Sequence, residues 1–267
     1  MALLRAEWIK IRSLRSFVAG LALGALGVLY CNVNAVVADN SARRGGRLHG
    51  GGGVFTNNAH IVVLYIFGCI GAMTVVSEYG SGLIRTTFAA VPARTEVIAA
   101  KAIVVAAVTA AAGLVTYVAS FVATMILAGQ TRFPSGLLAS PDFQRAISAS
   151  VLLFPLSALV GLGVGVVVRH TATSIVGVSL LLVLLPTFVT SEKRAWVNDL
   201  HNATPFAAWQ QLVLPSQAHM MPPPGMMLPP PPAGFANPTN NGSWLVFLLW
   251  PLTALVLALL AIRRRDV

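Results

Sequence analysis

Acid–base or metal-assisted chemistry needs carboxylates, histidines or cysteines that a fold can gather, and along this 267-residue chain they stand apart. The eight acids, Glu7, Asp39, Glu78, Glu96, Asp142, Glu192, Asp199 and Asp266, are spread singly. Glu192 and Asp199 share one stretch, but no histidine pair accompanies them. Cys31 and Cys69 lie in apolar runs without CxxC or metal-ligand spacing and read as buried or lipid-facing thiols. Met220, Met221, Met226 and Met227 lack histidine or cysteine at copper-ligand spacing, His219 apart, and no metal is assigned to them. His60, at the edge of an apolar stretch, reads as a capping or interfacial residue rather than a proton relay. Gly161-Leu-Gly-Val-Gly165 is no nucleotide loop, because no strand precedes it and its flanks are apolar, and no GxxxxGK[ST] run exists elsewhere. The chain therefore reads as no enzyme, with no catalytic residue, no metal and no cofactor.

The densest polar stretch runs from Ser77 to Lys101. An acid, Glu78, is followed by Gly80 and Gly82, which break the preceding helix. Residues 84–90 then suit a short helix ended by Pro92, with Arg85, Thr86 and Thr87 on it and Arg94 and Lys101 beyond. Such a helix reads either as a solvated connection or as a docking knob for a soluble partner. Residues 2–16 form a second candidate, an amphipathic helix with Leu4, Trp8 and Ile11 on one face and Lys10, Arg12 and Arg15 as a basic margin. A helix of that kind lies in the headgroup plane with its tryptophan at the interface.

These pieces need something to hold them. With 56% hydrophobic and only 10% charged residues, the chain lacks the polar surface of a soluble domain. A membrane helix needs about 20 mainly apolar residues. Six stretches qualify: 17–37, 59–76, 102–128, 146–168, 172–190 and 244–262. The first is too long for the apolar core of a signal peptide and is expected to remain as a span. The expected fold is thus all-α: one polytopic six-helix transmembrane bundle over residues 1–267, preceded by the amphipathic helix. Gly20 and Gly24, Gly68 and Gly71, and Gly161 and Gly165 supply small-residue spacings for close helix approach. Pro155 and Pro251 are expected to bend their spans. Residues 191–243 form a long loop whose proline runs cannot build a core; within it, Trp196, Phe206 and Trp209 offer an interfacial surface.

The net charge of +10 accompanies the apolar runs and so reads as a topology signal rather than a nucleic-acid footprint. With both termini cytoplasmic, Arg5, Lys10, Arg12, Arg15, Arg85, Arg94, Lys101, Arg169 and Arg263 to Arg265 lie inside. Arg43, Arg44, Arg47, Arg132, Arg145, Lys193 and Arg194 lie outside, the minority. None of the six apolar stretches holds an Asp, Glu, Lys or Arg, which argues against ion-coupled transport and leaves its energy to come from elsewhere.

Glu78-Tyr-x-x-Gly-x-Ile-Arg-Thr-Thr, followed by Pro92-x-Arg and Ala100-Lys101, resembles a loop of ABC transporter permease subunits of the type-2 exporter class. Glu7-Trp-x-Lys-x-Arg-Ser13 resembles the opening of actinobacterial members. The resemblance implies a bacterial plasma-membrane exporter subunit that forms the translocation path with a second permease, identical or not, driven by separate ATPase subunits. It also implies that Glu78, Tyr79, Gly82, Arg85, Thr86, Thr87, Arg94 and Lys101 contact the ATPase. By the same analogy Arg85 and Arg94 pair with ATPase acids, Glu78 braces the loop or takes a basic partner, and Glu7, Trp8, Lys10 and Arg12 belong to the interfacial helix. Two other classes fit the composition. One is a scaffold whose spans only bind other membrane proteins; the other is a lipid-modifying enzyme, which the scattered acids disfavour.

Overall fold

The computed structural model describes residues 2–44, 55–90, 93–128, 136–189, 194–214 and 239–264. The Pro/Met-rich tract, Pro92 and Arg47 of the basic cluster lie outside these residues. Among the described residues every regular element is helical: α1 (Ala2–Ser13), α2 (Arg15–Arg44), α3 (Asn57–Gly80), α4 (Leu83–Ala90), α5 (Arg94–Ala128) and α6 (Pro141–Val168) come first. They are followed by α7 (Thr171–Phe188), α8 (Ala195–Asn202), α9 (Pro205–Val213) and α10 (Asn240–Arg264). Six of them, α2, α3, α5, α6, α7 and α10, are long and apolar enough to cross a bilayer.

Local chemistry sets several of the helix ends. Thr56 opens α3 by accepting a hydrogen bond from the Ala59 N–H, and Ser140 does the same for α6 from Phe143, with Pro141 in the first turn. Between α6 and α7 only Arg169 and His170 intervene, and Arg169 turns the chain in the left-handed region at φ 60°. Gly82, at φ +72°, makes the sharp passage from α3 to α4 that other residues adopt at a cost. Within α7 a π-helical turn, Ser179–Leu184, comes just before Pro186; the wider turn relieves the clash between the proline ring and the carbonyl four residues back. Helices α6 and α10 continue through Pro155 and Pro251.

The bundle is organised around α3 and α6. In each, 67% of the most apolar window is buried, against 22% for α2 and α7 and 17% for α10. Glycines explain the intimacy of the central pair. A Cβ placed on Gly71 would stand 1.8 Å from the Ala158 carbonyl oxygen, and one on Gly161 would stand 1.8 Å from that of Gly68. Gly165 meets the backbone of Ala72 in the same crossing. Lipid gives helices no hydrophobic reason to associate, so backbone-to-backbone packing of this kind is what holds them. The outer helices leave a largely apolar surface, with Tyr30, Val115, Ile126 and Phe188 each more than two-thirds exposed, as lipid contact or a further subunit requires.

Candidate functional site

Four charged side chains meet at the bundle end that carries α1. Helix α1 lies against α5, and the face it buries is Leu4, Glu7 and Ile11. This differs from the apolar face expected from spacing: Trp8 is half exposed, and Glu7, 2% exposed, takes the inward place. The reason is Lys101, which is 1% exposed near the start of α5 and needs an anion. Its Nζ donates to Glu7 Oε2 at 2.6 Å and to Glu78 Oε1, at the end of α3, at 2.8 Å. Lys10 completes the set, donating to Glu7 Oε1 at 3.0 Å, to Glu78 Oε1 at 3.3 Å and, at the 3.5 Å limit, to the Thr87 hydroxyl of α4. Two carboxylates and two ammoniums thus neutralise one another while joining α1, α3, α4 and α5. Burial opposes Lys10's charge, but the hydrogen bond to Glu7 and the charges of Glu78 and Glu7 outweigh it, so its pKa stands above the ordinary 10.5.

A small apolar cluster backs the charges. Ile84 of α4 and Val97 of α5 are buried together, with Leu3 of α1 and Tyr79 of α3 packed against them. Helix α4 is therefore seated on three neighbours through one face, and it turns Leu83 and Thr86 outward. Arg85 and Gly82 belong to the same segment, and Arg94, half-buried, opens α5. Arg12 projects from the exposed side of α1.

Every described member of the expected contact set consequently lies at one end of the bundle. The partners of the charges were not visible in the sequence. Glu78 accepts from two cations of this same chain, Lys10 and Lys101. Arg169, expected only as one of the inside cations, has a contact that the sequence does not predict: its guanidinium lies 5.1 Å from the Tyr79 ring centroid, tying the α6–α7 turn to the same region. The one available signal was that it is the only cation in a three-residue connection.

A second polar cluster occupies the opposite end. His60 is fully buried rather than interfacial, because α9 folds back over α3 and α6 and stacks Trp209 on it at 3.1 Å between ring centroids. His60 Nδ1 faces the Thr56 carbonyl at 2.6 Å, an acceptor, so Nδ1 carries the proton; in the neutral ring Nε2 then accepts from the Tyr117 hydroxyl at 2.7 Å. Trp209 donates to Ser150 at 3.0 Å. Trp209 is thus a core residue and not part of an interfacial surface, whereas Trp196 is 63% exposed. Arg145 fixes the end of α9 by donating to the carbonyls of Leu212 and Leu214.

Residues 3–188 match the family described as ABC-2 family transporter protein, which covers most of the chain and includes all of the charge cluster. The chain belongs to that family. It is a multi-pass membrane protein and an ABC-2 type permease, the membrane component of a transporter. No curated protein matches it. Members of the ABC-2 family work with an ATP-binding-cassette ATPase, and the end of the bundle that carries α1 and α4 holds the buried charge cluster.

The raised pKa of Lys10 has a measurable consequence. Its folded-state value lies above the unfolded one, so the stability it adds is fully present below about pH 10.4 and is lost as pH rises through the folded value. Thermal unfolding of the detergent-solubilised permease should therefore show no Lys10 contribution to its slope between pH 7 and 9. It should weaken in the alkaline range, and Lys10→Met should remove that weakening.

Proposed function

We propose that this permease pairs with a second permease subunit to form the path of an ABC exporter. Separate ATPase subunits drive it by pressing on α1 and α4. The face bearing α1, α4 and the α6–α7 turn is cytoplasmic, as are both termini, and the membrane is a bacterial plasma membrane. The larger share of Lys and Arg on that face supports this orientation.

The observation that carries the reading is the buried charge cluster. A solvated connection between two spans has no need to bury two carboxylates and a lysine. A coupling element does, because force applied to α4 or α1 has to reach the spans without being absorbed by a loop. Lys10 touches α4 through Thr87 and α3 through Glu78; Lys101 joins Glu7 of α1 to the first turns of α5. From α3 the displacement passes to α6 through the glycine contacts, where backbone meets backbone and nothing soft intervenes. A packed pair of this kind shifts as a unit between discrete arrangements, which is how hydrolysis would bias the bundle between inward and outward shapes. Glu78, Tyr79, Lys101, Glu7 and Lys10 are the internal transmission; Gly82 sets the angle of α4. By the family analogy Arg85 and Arg94 pair with acidic groups of the ATPase, Thr86 is exposed on the same helix as Arg85, and Trp8 anchors α1 at the headgroups.

The test needs an ATP-binding-cassette ATPase, sought first among the genes beside that of this permease. Reconstituted wild-type permease should raise its hydrolysis rate, and Arg85→Glu should abolish the increase while the protein remains helical and monodisperse. An undiminished increase in Arg85→Glu would remove α4 from the contact.

A further inference from the structure

The side of α1 that faces away from the charge cluster has its own pattern. Arg5, Trp8, Ile9 and Arg12 follow one another at helical spacing and are all exposed, Trp8 by 50% and Ile9 by 66%. Between this side and α5 lies a groove of about 410 Å³, lined by Leu4, Arg5, Trp8 and Ile9 on one wall and Ile103, Val104 and Ala107 on the other. Lys101, bound to Glu7, pins the two walls together just beside it. Ile103 and Ala107 are exposed and descend about 6 Å along the apolar part of α5, at 1.5 Å per residue. One end of the groove is therefore hydrocarbon in character, and the other carries a guanidinium and an indole.

From this arrangement we propose that the groove is a binding site for one anionic phospholipid. An acyl chain lies against Ile103, Val104 and Ala107, the glycerol region meets Trp8, and the phosphate meets Arg5, with Arg12 two turns beyond Arg5 on the same side. Charge complementarity selects this occupant over a neutral lipid. The described acids of α1 and of the adjoining end of α3, Glu7 and Glu78, are turned inward and neutralised by Lys10 and Lys101; Glu96, exposed in the first turn of α5, stands two turns from Ile103, and Arg5 and Arg12 on the exposed side of α1 outnumber it. A protein partner would need to enter between a headgroup-level helix and a span. The site rests on α1 lying at the bilayer surface and is independent of the ATPase, so its failure leaves the coupling reading standing. By wedging α1 against α5, a bound lipid would make the docked state of α1 depend on the anionic lipid content of the membrane.

Trp8 reports the site. In phosphatidylcholine nanodiscs holding the full chain, its emission is the difference between wild type and Trp8→Phe, and brominated lipids quench it on contact. Each arginine close to an anionic headgroup is worth about fivefold in binding, so brominated phosphatidylglycerol should quench about 25 times more effectively than brominated phosphatidylcholine. Arg5→Gln should reduce that ratio to about 5, and Arg5→Gln with Arg12→Gln to about 1. Ala107→Phe, which fills the groove from an exposed position, should abolish quenching by both lipids while leaving helicity unchanged. A wild-type ratio near 1, a ratio unchanged in the double variant, or quenching unaffected by Ala107→Phe would each overturn the proposal. Failure of both lipids to quench the wild-type protein would mean that a protein surface covers the groove, and would overturn it as well.

Discussion

Lys101→Met should destabilise the permease by about 3–5 kcal/mol, the range found when one partner of a buried ion pair is removed. The size of the effect follows from what remains. Glu7 and Glu78 stay in place at 2% and 5% exposure, and only Lys10, whose side chain is one-third exposed, is left to neutralise them. Two desolvated carboxylates sharing one partly hydrated cation is a worse state than the loss of two hydrogen bonds alone, because the charges themselves are stranded. Methionine matches the length of the lysine stem, so no cavity confuses the result. A thermal or denaturant unfolding series in detergent reads the loss directly. Adding Glu7→Gln and Glu78→Gln to Lys101→Met should recover most of the stability, since a neutral cluster carries no stranded charge. That recovery separates electrostatics from packing.

The second large effect concerns the central crossing. Gly71→Ala and Gly161→Ala should each cost about 3 kcal/mol or more, at or beyond the upper end of ordinary overpacking, and should sharply reduce the amount of folded protein in the membrane. A single methyl does this because what it meets is backbone: the Ala158 carbonyl at Gly71 and the Gly68 carbonyl at Gly161, each at 1.8 Å. A flexible side chain could rotate away, whereas a helix carbonyl moves only with its helix. Gly80→Ala is the control, with nothing within 4 Å of the added atom, and should be close to neutral. Expression level and unfolding midpoint measured on the three variants together check the claim. Equal behaviour of Gly80→Ala and Gly71→Ala would contradict it.

Much of the fold can be read directly from the chain. Length and apolarity alone mark the spans, because a bilayer imposes a fixed thickness on any helix that crosses it. Their ends are less legible. Helix α5 begins at Arg94, well before the apolar stretch, whereas α3 runs on to Gly80, the break that Gly80 and Gly82 predict; helices continue until caps or glycines stop them rather than where hydrophobicity fades. Those extensions are what bring Glu78 and Lys101 into the bundle. The charge cluster illustrates the wider limit. Glu7 and Lys101 are each noticeable in the sequence, but they are 94 residues apart, and nothing local says that they meet. Spacing groups Leu4, Trp8 and Ile11 on one face of α1, yet the face packed on the bundle is Leu4, Glu7 and Ile11, with Trp8 half exposed. At a membrane surface, outward can mean lipid, and a buried lysine on a neighbouring helix draws in the glutamate instead. His60 and Trp209 are buried for a related reason. A helix that folds back over the bundle end turns residues that look interfacial into core, and no sequence pattern within α9 announces that return.

The most direct test of transmission is ATP hydrolysis by the complex with Glu7→Leu. Leucine keeps α1 helical and apolar, leaves Arg85 and α4 untouched, and cuts the bonds from α1 to Lys101. If force travels through the cluster, the ATPase should still co-purify with this variant while its stimulated rate falls at least tenfold, toward that of the isolated ATPase. Stimulation equal to wild type, with the ATPase bound and the variant folded, would contradict the role assigned to the cluster.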